Sequence, residues 1–98
     1  MKLLTKELEK KLPALYSTEE VEIGEKEIVC KFFTPDSSWT WYAVEYDPEE
    51  GVFFGLVDGH EKEWGYFTLA DLESIRGGLG LPVERDMYFT PKKYKDIF

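Results

Sequence analysis

Four apolar or alternating segments, each cut from the next by a short turn, constrain this chain more than any other feature. They occupy residues 28–34, 39–47, 52–58 and 63–67. The separators are Thr34-Pro35-Asp36-Ser37-Ser38, Asp47-Pro48-Glu49-Glu50-Gly51 and Asp58-Gly59-His60-Glu61-Lys62. Alternation with period two is the signature of a half-buried strand. A parallel crossover needs about a dozen residues or more, so connections this short dictate antiparallel neighbours. Pro35 presets φ in the first turn, and Gly51 supplies the left-handed position of a hairpin loop.

Two short helices flank this meander. Residues 5–12 carry an N-cap at Thr5, an acid at Glu7 where the helix dipole favours one, and Leu4, Leu8 and Leu12 on one face. Pro13 stops them. After the fourth strand, Thr68 is an N-cap with Asp71 three residues on, and Leu69, Leu72 and Ile75 form an apolar face. Arg76 suits the helix C-terminus, and Gly77 reads as a left-handed cap. Residues 17–27 read as an exposed acidic connection, 83–89 as a last extended segment and 90–98 as a basic-aromatic tail. The expected fold is therefore α+β: an antiparallel four- to five-stranded meander sheet with an N-terminal helix and a second helix after the fourth strand. A length of 98 residues supports one domain over 1–98.

Pairing Asp47 with Val52 sets the expected faces by simple alternation. Tyr42, Val44 and Tyr46 with Phe53, Gly55 and Val57 form a charge-free core face. Trp39, Trp41, Ala43 and Glu45 with Phe54, Leu56 and Asp58 form the other. Two short helices cannot cover both. The second face, with Trp39, Trp41, Glu45, Phe54 and Asp58 as its binding residues, then has two outcomes. It stays open to a partner, as aromatic patches with polar rims do, or the tail covers it through Tyr94, Ile97 and Phe98. Gly55 and Gly65 interrupt strands, where close packing under an aromatic ring is expected.

Charge narrows the partners. The formal net charge is −8, and it is unevenly placed. Residues 12–91 hold 17 of the 20 acids and 5 of the 12 bases, a net of −12, while the two ends together carry +4. Direct nucleic-acid binding needs clustered Lys and Arg, which the body lacks. An acidic surface attracts a basic partner, such as a nucleic-acid-binding protein. Lys92, Lys93 and Lys95 beside Tyr94 and Phe98 are the one basic-aromatic cluster suited to stacking on nucleic acid. No apolar run approaches the roughly 20 residues that span a bilayer, so no membrane partner is expected. The N-terminus turns charged at once, unlike a signal peptide. A lone Cys30 makes no internal disulfide and fits a cytoplasmic setting.

Chemistry-bearing patterns are sparse. His60 is the single histidine, in a turn with Asp58, Glu61 and Glu63, and no metal site is expected of one histidine among loop acids. Cys30 lies between Ile28 and Phe32 and reads as buried and inert. Gly77-Gly78-Leu79-Gly80-Leu81 looks like a phosphate loop but follows a helix instead of opening one, so no cofactor is inferred. Asp36, Glu84, Arg85 and Asp86 form a candidate charged cluster, in which paired carboxylates around an arginine could do acid–base work.

Several stretches together resemble one family. They are Leu3-Leu4-Thr5, then residues 32–42 with Trp39-Thr40-Trp41-Tyr42, then Phe53-Phe54-Gly55-Leu56-Val57 leading to Gly65-Tyr66-Phe67, then Gly80-Leu81-Pro82-Val83-Glu84-Arg85-Asp86. In this order they resemble the bacterial domain-of-unknown-function family numbered 2958. The resemblance implies no catalytic residue. It implies an accessory role on mobile elements, near antirestriction and transfer genes. Two functions are thus expected: a non-enzymatic interaction protein of a bacterial mobile element, in its sharper form an acidic anti-defence inhibitor, or a small hydrolase or nuclease using the carboxylate–arginine cluster.

Overall fold

The turn-separated segments do fold as a meander, but one inserted residue decides which side chains share a face. The structure, a computed structural model, describes residues 1–98. Its helices are α1 (Lys6–Lys11) and α2 (Leu69–Ser74). Its strands are β1 (Glu27–Ile28), β2 (Cys30–Phe33), β3 (Thr40–Asp47), β4 (Val52–Asp58), β5 (Lys62–Thr68), β6 (Glu84–Arg85) and β7 (Lys92–Lys93). Five of them form an antiparallel sheet in the order β5-β4-β3-β2-β6, and β1 pairs separately with β7.

Local signals act as expected where they are local. The Leu8 amide donates to Thr5 Oγ1 at 3.2 Å, and the Asp71 amide to Thr68 Oγ1 at 3.0 Å, so both N-caps are made. Gly51 takes φ +68° and donates to the Asp47 carbonyl at 2.8 Å. Arg76 Nη1 donates to the carbonyls of Glu73 and Ile75, satisfying the free end of α2. Three expectations are corrected. The first strand splits at Val29, because its start pairs with the tail and its remainder with β3. Of residues 83–89, only Glu84 and Arg85 extend the sheet, against Phe33 and Phe32. Gly77 is no left-handed cap. α2 ends with Ile75 extended (φ −68°, ψ 139°), and a Cβ at Gly77 would lie 1.5 Å from Asp36 Oδ1. Glycine is needed there for room, not for φ.

The larger correction is a β-bulge. Asp47, Tyr46 and Glu45 pair with Val52, Phe53 and Phe54 as expected, but the register then shifts between Ala43 and Glu45. Ala43 sits opposite Gly55, Tyr42 opposite Leu56 and Trp41 opposite Val57. A bulge places two residues against one and reverses alternation beyond it. Gly55 makes this possible: a Cβ there would lie 1.9 Å from the Tyr42 carbonyl oxygen. Its neighbour is thus backbone and not an aromatic ring, and a Cβ at Gly65 would meet nothing within 4 Å.

The bulge therefore sorts the aromatic residues differently. One face gathers Cys30, Phe32, Trp41, Ala43, Tyr46, Phe53 and Phe67 beneath Leu3, Leu4, Leu8, Leu12, Leu69 and Leu72. This helix-covered face is the main core. Phe32 and Phe53 are fully buried, each worth about 1.5–3 kcal/mol of apolar transfer. The opposite face carries Tyr42, Val44 and Leu56, with Ile28, under Tyr94 and Ile97 of the tail. The tail does fold over one end of the Phe54–Leu56 side of β4, one of the two outcomes expected, but the bulge sets Tyr42 and Val44 there in place of Trp41 and Ala43.

Candidate functional site

Because of the bulge, Trp39, Trp41, Glu45, Phe54 and Asp58 do not form one surface. Trp39 and Trp41 stack at 6.1 Å on the helix-covered side, where Trp41 is buried. Glu45 and Phe54 pair on the tail-covered side, and Asp58 ends that strand opposite Thr40. The charged cluster also disperses. Asp36 Oδ2 accepts from the Leu79 and Leu81 amides at 2.7 and 3.2 Å. The Gly-rich loop thus does cradle an anion with its amides, but the anion is the chain's own carboxylate. Arg85 Nη1 donates to the carbonyls of Lys2 and Leu3 at 2.7 and 2.8 Å. Asp86 lies 3.9 Å from Lys31 and accepts from the Tyr88 amide, and Glu84 makes no ion pair. Glu84, Arg85 and Asp86 do line a groove of about 550 Å³ with Trp39, but its two carboxylates share no partner.

Other candidates are placed plainly. His60 meets Trp39 edge-on at 5.6 Å, and no group of three or more His, Cys, Asp or Glu side chains is arranged to hold a metal ion. Cys30 is buried, and desolvation pushes its thiol up to about 12. Lys93 and Lys95 both pair with Glu25, at 2.7 and 2.5 Å, while Tyr94 and Phe98 pack on Trp64 and Tyr42. The basic-aromatic cluster is therefore engaged within the fold. No helix is long and apolar enough to cross a membrane.

What remains open is the other half of the tail-covered face. Phe54 lies opposite Tyr66, and Leu56 opposite Trp64. The Phe54 ring stacks on Trp64 at 5.8 Å and meets Tyr66 at 5.3 Å. Tyr16 reaches across from the segment after α1 and meets Tyr66 at 6.2 Å. Together with Glu19, Ile23, Lys26 and Glu45 these rings line a cleft of about 340 Å³. Tyr16 and Tyr66 are 59% and 56% exposed, so the two phenols stand at its mouth.

Two buried charges hold the cleft's outer wall. Glu45 is 2% exposed and Lys26 is 7% exposed. Glu45 Oε1 accepts from the Tyr16 amide at 2.7 Å, and Oε2 from the Thr18 amide at 3.0 Å and the Thr18 hydroxyl. Lys26 Nζ donates to the Thr18 carbonyl at 2.5 Å and to its hydroxyl at 3.1 Å, and lies 5.9 Å from the Phe54 ring centre. Thr18 thus bridges a carboxylate and an ammonium that make no direct ion pair. Tyr16 has φ +68°, which costs a non-glycine residue about 1–2 kcal/mol. The bonds to Glu45 hold it there. The phenol of Tyr66 is raised above the usual tyrosine range, first by desolvation, then by Tyr16, Glu45 and Glu19. Glu19, Glu20 and Glu22 are exposed nearby in sequence, and none forms an ion pair.

The chain matches, over residues 3–96, the family model described as a protein of unknown function, DUF2958. It belongs to that family. No curated protein and no solved structure matches this DUF2958 chain. Of the residues in its cleft, sequence pattern pointed to Glu45 and Phe54 only. Lys26 falls in the 17–27 stretch read as an exposed connection, and Tyr16 lies just before it. The available signal was Lys26 itself, a lone base among Glu19, Glu20, Glu22, Glu25 and Glu27.

Proposed function

We propose that this DUF2958 protein is a non-catalytic interaction protein that docks a basic protein partner at the Tyr16–Phe54–Trp64–Tyr66 cleft. The observation that carries this reading is an open aromatic cleft walled by Tyr16 and Tyr66, with the exposed Glu19, which forms no ion pair, in its lining. Aromatic faces beside carboxylates suit an arginine or lysine side chain, whose charge is attracted both by ring quadrupoles and by the acids. A partner with many such residues is a nucleic-acid-binding protein. The net of −12 over residues 12–91 supports occupation of its nucleic-acid groove. Within this reading the chain works in the cytoplasm of a bacterium carrying a mobile element and blocks a host nuclease or restriction subunit.

The test is capture from a bacterial lysate at low salt, followed by a salt gradient and mass spectrometry. The expected product is a basic nucleic-acid-binding protein released by salt. Its recovery falls with the double variant Tyr16→Ala/Tyr66→Ala and with Glu19→Lys, and persists with Tyr88→Ala. Equal recovery by all of these contradicts the proposal.

A further inference from the structure

The two edges of the five-stranded sheet are unequal. β6 ends one side with two residues, and the N-terminal segment shields it: the Arg85 amide lies 3.1 Å from Met1 Sδ and the Arg85 side chain bonds Lys2 and Leu3. β5 ends the other side with seven residues, all in register with β4 and without a bulge. None of the backbone hydrogen bonds outside the ladders involves residues 62–68, and no side chain bonds their backbone. The outward N–H and C=O groups of β5 therefore have no protein partner.

Proteins guard such edges with prolines, bulges, inward charges or covering elements. β5 has Lys62 and Glu63 at one end and no guard along Trp64-Gly65-Tyr66-Phe67. A Cβ at Gly65 would meet nothing within 4 Å, so no part of the fold packs over the middle of the strand at that position.

We propose that β5 accepts an added strand: an extended segment of the partner protein pairs with its free edge and directs alternate Arg or Lys side chains over Trp64 and Tyr66 toward the cleft. This deepens the docking reading and rests on it. Charge selects the occupant. Residues 58–73 contain five acids (Asp58, Glu61, Glu63, Asp71, Glu73) and one base (Lys62), a net of −4. A second copy would bring two such stretches and two net charges of −8 together, whereas a basic segment is attracted. Main-chain pairing supplies affinity and alternate side chains supply specificity in this mode.

The probe is a synthetic peptide of about eight residues alternating arginine and valine, a length matched to a typical strand. Amide exchange and side-chain shifts are read by NMR on the full chain. The expected result is slowing of the outward β5 amides by roughly tenfold or more, with affinity lost on methylating alternate peptide nitrogens or on replacing arginine by glutamate. Shifts of the Trp64 and Tyr66 rings without slowed β5 amides, and with methylation having no effect, overturn strand addition while leaving the cleft reading intact. Slowed β5 amides that are insensitive to Tyr16→Ala support strand addition and count against the cleft. A dimer of the free protein with β5 amides already protected, or no binding by any peptide, overturns the proposal.

Discussion

The carboxylate of Glu45 and the amide of Tyr16 meet at 2.7 Å, and this bond fixes the exposed ring that walls the cleft. It joins the middle of β3 to a segment 29 residues earlier. Removing the buried carboxylate strands the donors it accepts from, the Tyr16 and Thr18 amides and the Thr18 hydroxyl. Glu45→Ala is expected to cost about 1–3 kcal/mol or more in denaturant unfolding, the cost of leaving buried donors unsatisfied. The double variant Glu45→Met/Lys26→Met is expected to cost less than the sum of the single changes, because it leaves no lone buried charge. Additive losses would show that the two charges are not coupled through Thr18.

The bulge yields a sharper contrast. Gly55→Ala places a methyl within 1.9 Å of the Tyr42 carbonyl oxygen, so β3 must shift or lose its ladder bonds. The expected cost is about 1–3 kcal/mol or more, read as a lower thermal midpoint. Gly65→Ala meets no atom within 4 Å and is expected to be neutral or to stabilise by up to about 1 kcal/mol through the unfolded chain. Equal effects would contradict the observed register.

Asp36 anchors the Gly-rich loop. Asp36→Asn removes a charged acceptor from the Leu79 and Leu81 amides, and bonds to charged groups are worth about 1.5–3 kcal/mol. Faster exchange of those two amides, with the β3–β4 ladder unaffected, is the expected outcome of hydrogen-exchange measurement.

The tail should respond to acid. Hydrogen bonds from Lys93 and then Lys95 hold the Glu25 carboxyl down to about 2, against 4.5 for an unpaired glutamate. A lowered folded-state value means the carboxylate form favours the docked tail. The contribution is fully present above about 4.5 and is lost as pH falls from there to about 2. The Tyr94 amide, which donates to the Lys26 carbonyl at 2.9 Å, should exchange faster across that window relative to the core ladder. Because the pair is exposed, high salt should shrink the difference. A Tyr94 amide whose relative protection is unchanged by acid would contradict this docking contact.

Much of the fold was legible because its signals are local. Thr5, Thr68 and Gly51 each act within a few residues, and the turns between strands leave only an antiparallel route. The faces were less legible, because alternation carries through a bulge without a mark in the hydrophobic pattern. Trp41 and Tyr42 are both apolar enough for either side. Gly55 was the sole hint, since a glycine inside a strand signals a close backbone approach. The cleft was hidden for a different reason. Tyr16 and Lys26 become neighbours of Phe54 only through Glu45 and Thr18, long-range polar bonds that no spacing rule encodes. Asp36 and the loop at 77–81 are the same case: each was noticed, and only folding made one the partner of the other.

Site-specific photo-crosslinking in bacterial cells tests the central claim most directly. A benzophenone side chain replaces Tyr66 at the cleft in one strain and Tyr88, on the opposite groove and 95% exposed, in another. Docking at the cleft predicts a discrete adduct with a basic protein from position 66 and none from position 88. An adduct from position 88 alone would contradict it.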